Sequence, residues 1–158
     1  MPRPIYVPSR SQDDRKGPAA EAREWANVLA QVPLFADLNR GHLKKVAGTG
    51  RIARFHDGSA IVRASEPGDT LYVVLDGEVS VRRRGLPTLS LGIGGFFGEM
   101  ALLERSTRSA TVVANGPVVC LTITQSRFLK LLRAEPAIGI ALLRELAARL
   151  RKAQAIAA

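Results

Sequence analysis

The chain has 158 residues, enough for one domain with a sizeable core and too few for two well-cored ones. At 46% apolar and 23% charged it is not a disordered chain, and 5% aromatic residues argue against a surface built mainly on base stacking. The net charge of +9 points to a phosphate-bearing ligand, a nucleic acid or an anionic membrane surface without choosing among them, and the single cysteine, Cys120, excludes an internal disulfide and a cysteine-rich zinc site.

Residues 1–20 combine Pro2, Pro4, Pro8 and Pro18 with Arg3, Arg10, Arg15 and Lys16, a composition that cannot bury enough apolar area to order itself, and they are read as a flexible tail. The opening MPRPIYVPSR lacks an apolar segment and no run of about 18 apolar residues occurs. Neither a secretory signal nor a membrane span is expected, and the chain is read as cytoplasmic. One domain is expected over residues 21–155: helices within 21–48, a β-roll over 50–124 and C-terminal helices over 125–155. Trp25, Val28, Leu29 and Val32 recur at helical spacing before Pro33, and a second helix is capped by Asn39 and ends near Gly48.

From Arg51 the period changes to short β-like runs. They are separated by Asp57-Gly58, Pro67-Gly68-Asp69, Asp76-Gly77, Gly85, Gly92, Gly94-Gly95 and Asn115-Gly116-Pro117. This pattern predicts a compact antiparallel sandwich or roll, with a hairpin at Asp76-Gly77. Helical spacing returns over Gln125 to Arg133 and again from Pro136, which suits a first helical position, to about Ala155.

The chemistry concentrates where the glycine-rich run Gly94-Gly95-Phe96-Phe97-Gly98 leads into Glu99-Met100-Ala101-Leu102-Leu103. A helix start offers unpaired N–H groups to an anion. Nine residues after Glu99 comes Arg108, whose guanidinium can hold two phosphate oxygens at once. One arginine with backbone donors suits a singly charged phosphodiester, and no triphosphate-binding lysine loop is present. Glu99 would repel a nearby phosphate unless it accepts from something else, such as a sugar hydroxyl.

Gly98-Glu99-Met100-Ala101-Leu102-Leu103 followed by Arg108-Ser109-Ala110-Thr111 resembles the phosphate-binding cassette of cyclic nucleotide-binding domains. Such domains occur in protein kinase A regulatory subunits, the catabolite activator protein and cyclic-nucleotide-gated channels. Glu66-Pro67-Gly68-Asp69-Thr70-Leu71-Tyr72-Val73-Val74-Leu75-Asp76-Gly77 looks like a second signature of the family, with Ser65 where glycine is usual, and Val32-Pro33-Leu34-Phe35 resembles its helical lead-in. The likeness runs from about Val32 to Lys152.

The resemblance implies an α+β, mainly β fold: an eight-stranded antiparallel, jelly-roll-like β-roll with N-terminal helices, a short cassette helix and C-terminal lid helices. It implies that Glu99 accepts from the ribose 2′-OH, that Arg108 holds the phosphate oxygens, and that backbone groups of Gly98, Met100, Ala101 and Ser109 complete the cradle. It also implies that Asp69 orients Arg108 from behind. Members that prefer cGMP often carry threonine after the arginine, so Ser109 inclines the reading to cAMP over cGMP. Advancing about 100° per residue from Ile138 puts Leu142, Leu143, Leu146, Leu150 and Ala153 on one apolar face. Arg149 is the one charge on that face: it either snorkels from the apolar stripe to water or stacks on a purine, the role that the resemblance to the family's last helix implies.

Arg82-Arg83-Arg84 is read as a solvated hairpin tip, His42 and His56 as surface residues, and Cys120 as a buried strand thiol. No catalytic residue, metal or prosthetic group is expected. The expectation is a stand-alone cyclic nucleotide sensor whose last helix closes over the ligand and which signals to an effector protein or a second copy through that helix. The alternatives are a nucleic-acid-binding regulator lacking its helix-turn-helix domain, or a ligand-free interaction domain of the same fold. About six residues follow Lys152, so DNA binding is not expected.

Overall fold

The computed structural model describes residues 18–157. The expected tail therefore lies outside the described residues, except for Pro18 to Ala20, which open the first helix. Helix α1 (Pro18–Leu29), a 3-10 turn (Pro33–Phe35) and α2 (Arg40–Gly48) precede the sheet. The Asn39 side chain accepts the His42 amide at 2.8 Å, which satisfies one of the donors that every helix start leaves unpaired.

The strands are β1 (Arg51–Phe55), β2 (Ala60–Val62), β3 (Pro67–Gly68), β4 (Thr70–Arg82), β5 (Leu89–Leu91), β6 (Phe96–Phe97), β7 (Ser106–Thr107) and β8 (Thr111–Thr124). A 3-10 turn at Glu99–Leu102 lies between β6 and β7. Helices α3 (Gln125–Ala134) and α4 (Pro136–Ala157) follow the last strand. The main sheet runs β1-β8-β4-β5, with β2 added on β8 and β6 on β4, while β3 and β7 form a separate two-stranded ladder. All of the pairings are antiparallel. The fold is α+β, an antiparallel sheet flanked by helices.

Asp76-Gly77 does not make the expected hairpin. The chain runs straight through it, so the two runs predicted on either side are one strand, β4, paired to β8 over nearly its whole length. The register shifts between Val74 and Asp76 and again between Asp76 and Glu78, which marks a bulge that bends the strand instead of reversing it. Gly77 has φ +88°, and a Cβ there would overlap the Pro117 carbonyl oxygen on β8. Asn115-Gly116-Pro117, also read as a turn, is likewise a bend inside one strand, with the Gly116 amide held by Asp57 at 2.8 Å.

These bends let one pair of long strands serve two cores. Leu71, Val73, Leu121 and Ile123 face the helices and pack with Leu29, Phe35, Phe128, Ile138 and Leu142. Val74, Val79, Val112, Ala114, Val118 and Cys120 turn into the roll with Phe55. Burial pushes the Cys120 thiol up to about 12, so it stays neutral.

The last helix departs from the expected single apolar face. Ile138, Ala141 and Leu142 are buried against the body, whereas Ile140, Leu143 and Leu150 are 52%, 66% and 60% exposed. The five residues assigned to one stripe span about 100° of arc, and the body covers only one side of it.

Gly77→Ala is expected to lower unfolding stability by about 2 kcal/mol or more, because both its conformation and the Pro117 carbonyl oppose a side chain. Gly116→Ala, with positive φ but open space around it, should lose only about 1 kcal/mol. Urea denaturation of the two variants checks the order, and equal losses would contradict the close-approach argument.

Candidate functional site

A cavity of about 280 Å³ opens between the turn that follows β6 and the strands of the roll. Phe97, Gly98, Glu99, Met100 and Ala101 line one side, Thr107, Arg108, Ser109 and Ala110 a second, and Val62, Val81, Val112 and Arg83 the third. Of the residues singled out in the sequence, Gly98, Glu99, Met100, Ala101, Arg108 and Ser109 thus meet at one cavity. Asp69 and Arg149 do not line it.

The local chain explains why the turn sits there. Gly98 takes the left-handed conformation, φ +79°, and starts the 3-10 turn. Its carbonyl accepts the Ala101 amide at 3.1 Å, so the Ala101 N–H is used within the turn. Gln125, the first residue of α3, donates its side-chain amide to the Ala101 carbonyl at 3.1 Å and its own backbone N–H to the Asp69 carbonyl at 2.7 Å. One glutamine therefore ties the turn and the second sequence signature to the helical layer, a part that sequence reasoning missed.

Arg108 is held from several sides. Its amide donates to the Glu66 carbonyl at 2.8 Å, and its carbonyl accepts the Ser65 amide at 2.9 Å. Its Nη2 donates to the Thr70 carbonyl at 2.8 Å, and its Cζ lies 5.8 Å from the centroid of the Tyr72 ring. That ring is stacked on Phe97, 5.0 Å away and within 9° of parallel. The guanidinium passes through a niche where a Cβ on Gly68 or on Gly98 would overlap it. Burial pushes the Arg108 pKa below its ordinary value, and Tyr72 and Asp69 push it back up. A guanidinium is not deprotonated in proteins, so the niche holds a fixed, partly desolvated cation. Asp69 acts on it through space: its carboxylate accepts from the Thr70 hydroxyl at 2.9 Å. Thr70, Tyr72 and Gly68 were not singled out in the sequence, although they sit in the stretch that carries the second signature.

Glu99 is reached from the far end of the chain. Its Oε1 lies 3.6 Å from Arg149 Nη1 on α4, and Arg149 Nε also contacts Glu145 at 3.3 Å. Arg149 therefore bridges two carboxylates at the edge of the cassette. Glu99 Oε2 is buried with no hydrogen-bond partner among the described residues. A buried carboxylate oxygen left so is uncommon and asks for a donor.

Residues 52–135 match the family model described as Cyclic nucleotide-binding domain. The chain belongs to the cyclic nucleotide-binding domain family. It is 38% identical over 117 residues to a cyclic nucleotide-gated potassium channel of Mesorhizobium japonicum, covering 74% of this chain and 32% of the channel. The N-terminal domain of a transcriptional regulator from Streptomyces coelicolor superposes with a TM-score of 0.74 at 29% identity, over 83% of this chain and 95% of that one. The regulatory domain of Toxoplasma gondii protein kinase A, solved with cAMP, gives a TM-score of 0.62 at 25% identity, over 82% of this chain and 51% of that one. The domain spans between 19% and 32% of the length of the curated relatives it matches. Among the described residues no helix is long and apolar enough to cross a membrane, and no cluster of His, Cys, Asp or Glu could hold a metal ion.

Ser65 is the one non-glycine residue with positive φ among those described, at 70°, and it anchors the Arg108 carbonyl. Ser65→Gly is expected to raise unfolding stability by about 0.5–1 kcal/mol, the relief of left-handed strain outweighing the extra freedom of the unfolded chain. A lower denaturation midpoint would show that the serine side chain, not the backbone conformation, is what matters there.

Proposed function

We propose that the domain is a regulatory, non-catalytic module that binds a 3′,5′-cyclic nucleotide, cAMP ahead of cGMP, in the cavity between Arg108 and Glu99. The observation that carries this reading is the pairing, on one cavity, of a pre-set guanidinium with a buried carboxylate oxygen that lacks a donor. In this role Arg108 takes the phosphate oxygens while its Nη2 stays on the Thr70 carbonyl, and Glu99 Oε2 accepts from the ribose 2′-OH. Backbone groups of Gly98, Met100, Ala101 and Ser109 surround the cyclic phosphate, with the Ala101 amide also engaged in its turn. Asp69 supports the charge on Arg108. The Toxoplasma gondii relative solved with cAMP supports the choice of ligand class, and Ser109, where members preferring cGMP often carry threonine, supports the order of preference.

Helix α4 is the element that would report occupancy. Arg149 joins it to Glu99, so any change in what Glu99 accepts changes what holds the helix. A ribose hydroxyl donating to Glu99 Oε2 draws on the charge that Oε1 shares with Arg149 and weakens that ion pair, so that Arg149 moves toward the base and the helix closes over the ligand. Because a ligand shifts a conformation only through contacts that differ between the two states, this exchange is the differential contact the switch needs. The opposite face of the same helix presents Ile140, Leu143, Ala147 and Leu150 at spacings of three, four and three residues. That is the pattern of a helix-pairing seam, through which the module would signal to an effector or to a second copy.

Calorimetric titration is expected to rank cAMP first and 5′-AMP last, since an open phosphate monoester adds charge that one arginine does not match. Arg108→Ala should weaken cAMP at least ~30-fold, because it strands a buried phosphate charge. Arg149→Ala should weaken cAMP less and abolish nucleotide-dependent protection of α4 in hydrogen exchange. Unchanged cAMP affinity in Arg108→Ala would remove the phosphate role.

A further inference from the structure

We propose that Arg83 reads the purine edge of the bound nucleotide and favours a 6-oxo purine, guanine or hypoxanthine, over adenine. The proposal rests on the cavity being a cyclic nucleotide site and adds a base-reading residue to it. Arg83 was read in the sequence as one of three solvated charges at a hairpin tip. It is exposed, as are Arg82 and Arg84, yet of the three it alone lines the cavity.

The placement follows from strand geometry. Side chains two apart on a strand share a face, so Arg83, just past the end of β4, follows Val81 on the cavity side while Arg82 points away. Val81 pairs with Val112, which also pairs with Val62, so three neighbouring strands present an apolar wall that ends at Arg83. The phosphate end lies near another part of β4, where Tyr72 pairs with Phe97 and the Arg108 guanidinium lies over the Tyr72 ring. A nucleotide anchored on Arg108 therefore lays its base along the valines with its edge toward Arg83. The backbone there is fixed by a turn in which the Arg83 carbonyl accepts the Leu86 amide at 3.1 Å. The guanidinium makes no hydrogen bond or ion pair with the described residues, so its donors are available.

The chemistry supplies the selectivity. A guanidinium has five N–H donors and no acceptor. Guanine and hypoxanthine present O6 and N7, two adjacent acceptors that match two of those donors, whereas adenine puts an amino group beside N7 and turns one contact into donor facing donor. Arg83 thus works against the cAMP preference associated with Ser109 and narrows it.

The test is calorimetry on the full chain with cAMP, cGMP and cIMP, comparing the unsubstituted protein with Arg83→Ala and Arg84→Ala. Arg83→Ala is expected to weaken cGMP and cIMP about tenfold and to leave cAMP within about twofold. cIMP separates reading of O6 and N7 from reading of the guanine amino group, and Arg84→Ala, expected to change none of the three beyond about twofold, measures general charge attraction. Equal weakening of all three nucleotides by Arg83→Ala, or no change in any, would overturn base reading and leave the cyclic nucleotide site standing. If the unsubstituted protein binds none of the three, the site itself fails and the base-reading proposal with it.

Discussion

The guanidinium of Arg108 is kept partly out of water by two glycines, an aromatic ring and a backbone carbonyl, and the rest of the site is arranged around that constraint. A buried cation is costly unless its donors are used. Here one donor is spent on the Thr70 carbonyl and the face of the ion rests near Tyr72, itself stacked on Phe97. The same side chain lines the cavity. The glycines at 68 and 98 are part of the same solution, since a methyl group at either would occupy the space of the side chain. Even the strained Ser65 belongs to it, because its amide fixes the carbonyl of the same arginine.

From that fixed cation the structure runs outward through Glu99 to α4. The Glu99 carboxylate has one oxygen toward Arg149 and one without a partner, so it stands between the cavity and the helix. Helix α4 in turn has one side packed on the body through Ile138 and Leu142 and the other open. In the proposed function, occupancy of the cavity changes the balance at Glu99, the helix feels it through Arg149, and the open side carries the consequence to another chain. Each link is a contact between neighbours, and none requires a long-range pathway.

Much of this was legible before any coordinates. The cap at Asn39, the helical restart at Gln125 and the glycine-rich entry to the cassette follow from local chemistry, which is strong wherever a residue has one dominant conformational use. Asp76-Gly77 misled because a glycine with positive φ serves a hairpin turn and a bulge equally well, and only the partner strand decides between them. The apolar stripe of α4 misled for a related reason, since periodicity shows which residues share a side and not how much of it the body covers. Tyr72 and Arg83 were missed because an aromatic residue in a strand and an arginine at its end have commoner structural uses. Their relation to the cavity depends on the bend of β4.

A crystal structure of the domain grown with cAMP tests the central claim most directly. The account predicts the cyclic phosphate within hydrogen-bond distance of the Arg108 guanidinium, with the Thr70 carbonyl still in contact, and the ribose 2′-OH on Glu99. Nucleotide bound with its phosphate away from Arg108, or an empty cavity at saturating cAMP, would contradict it.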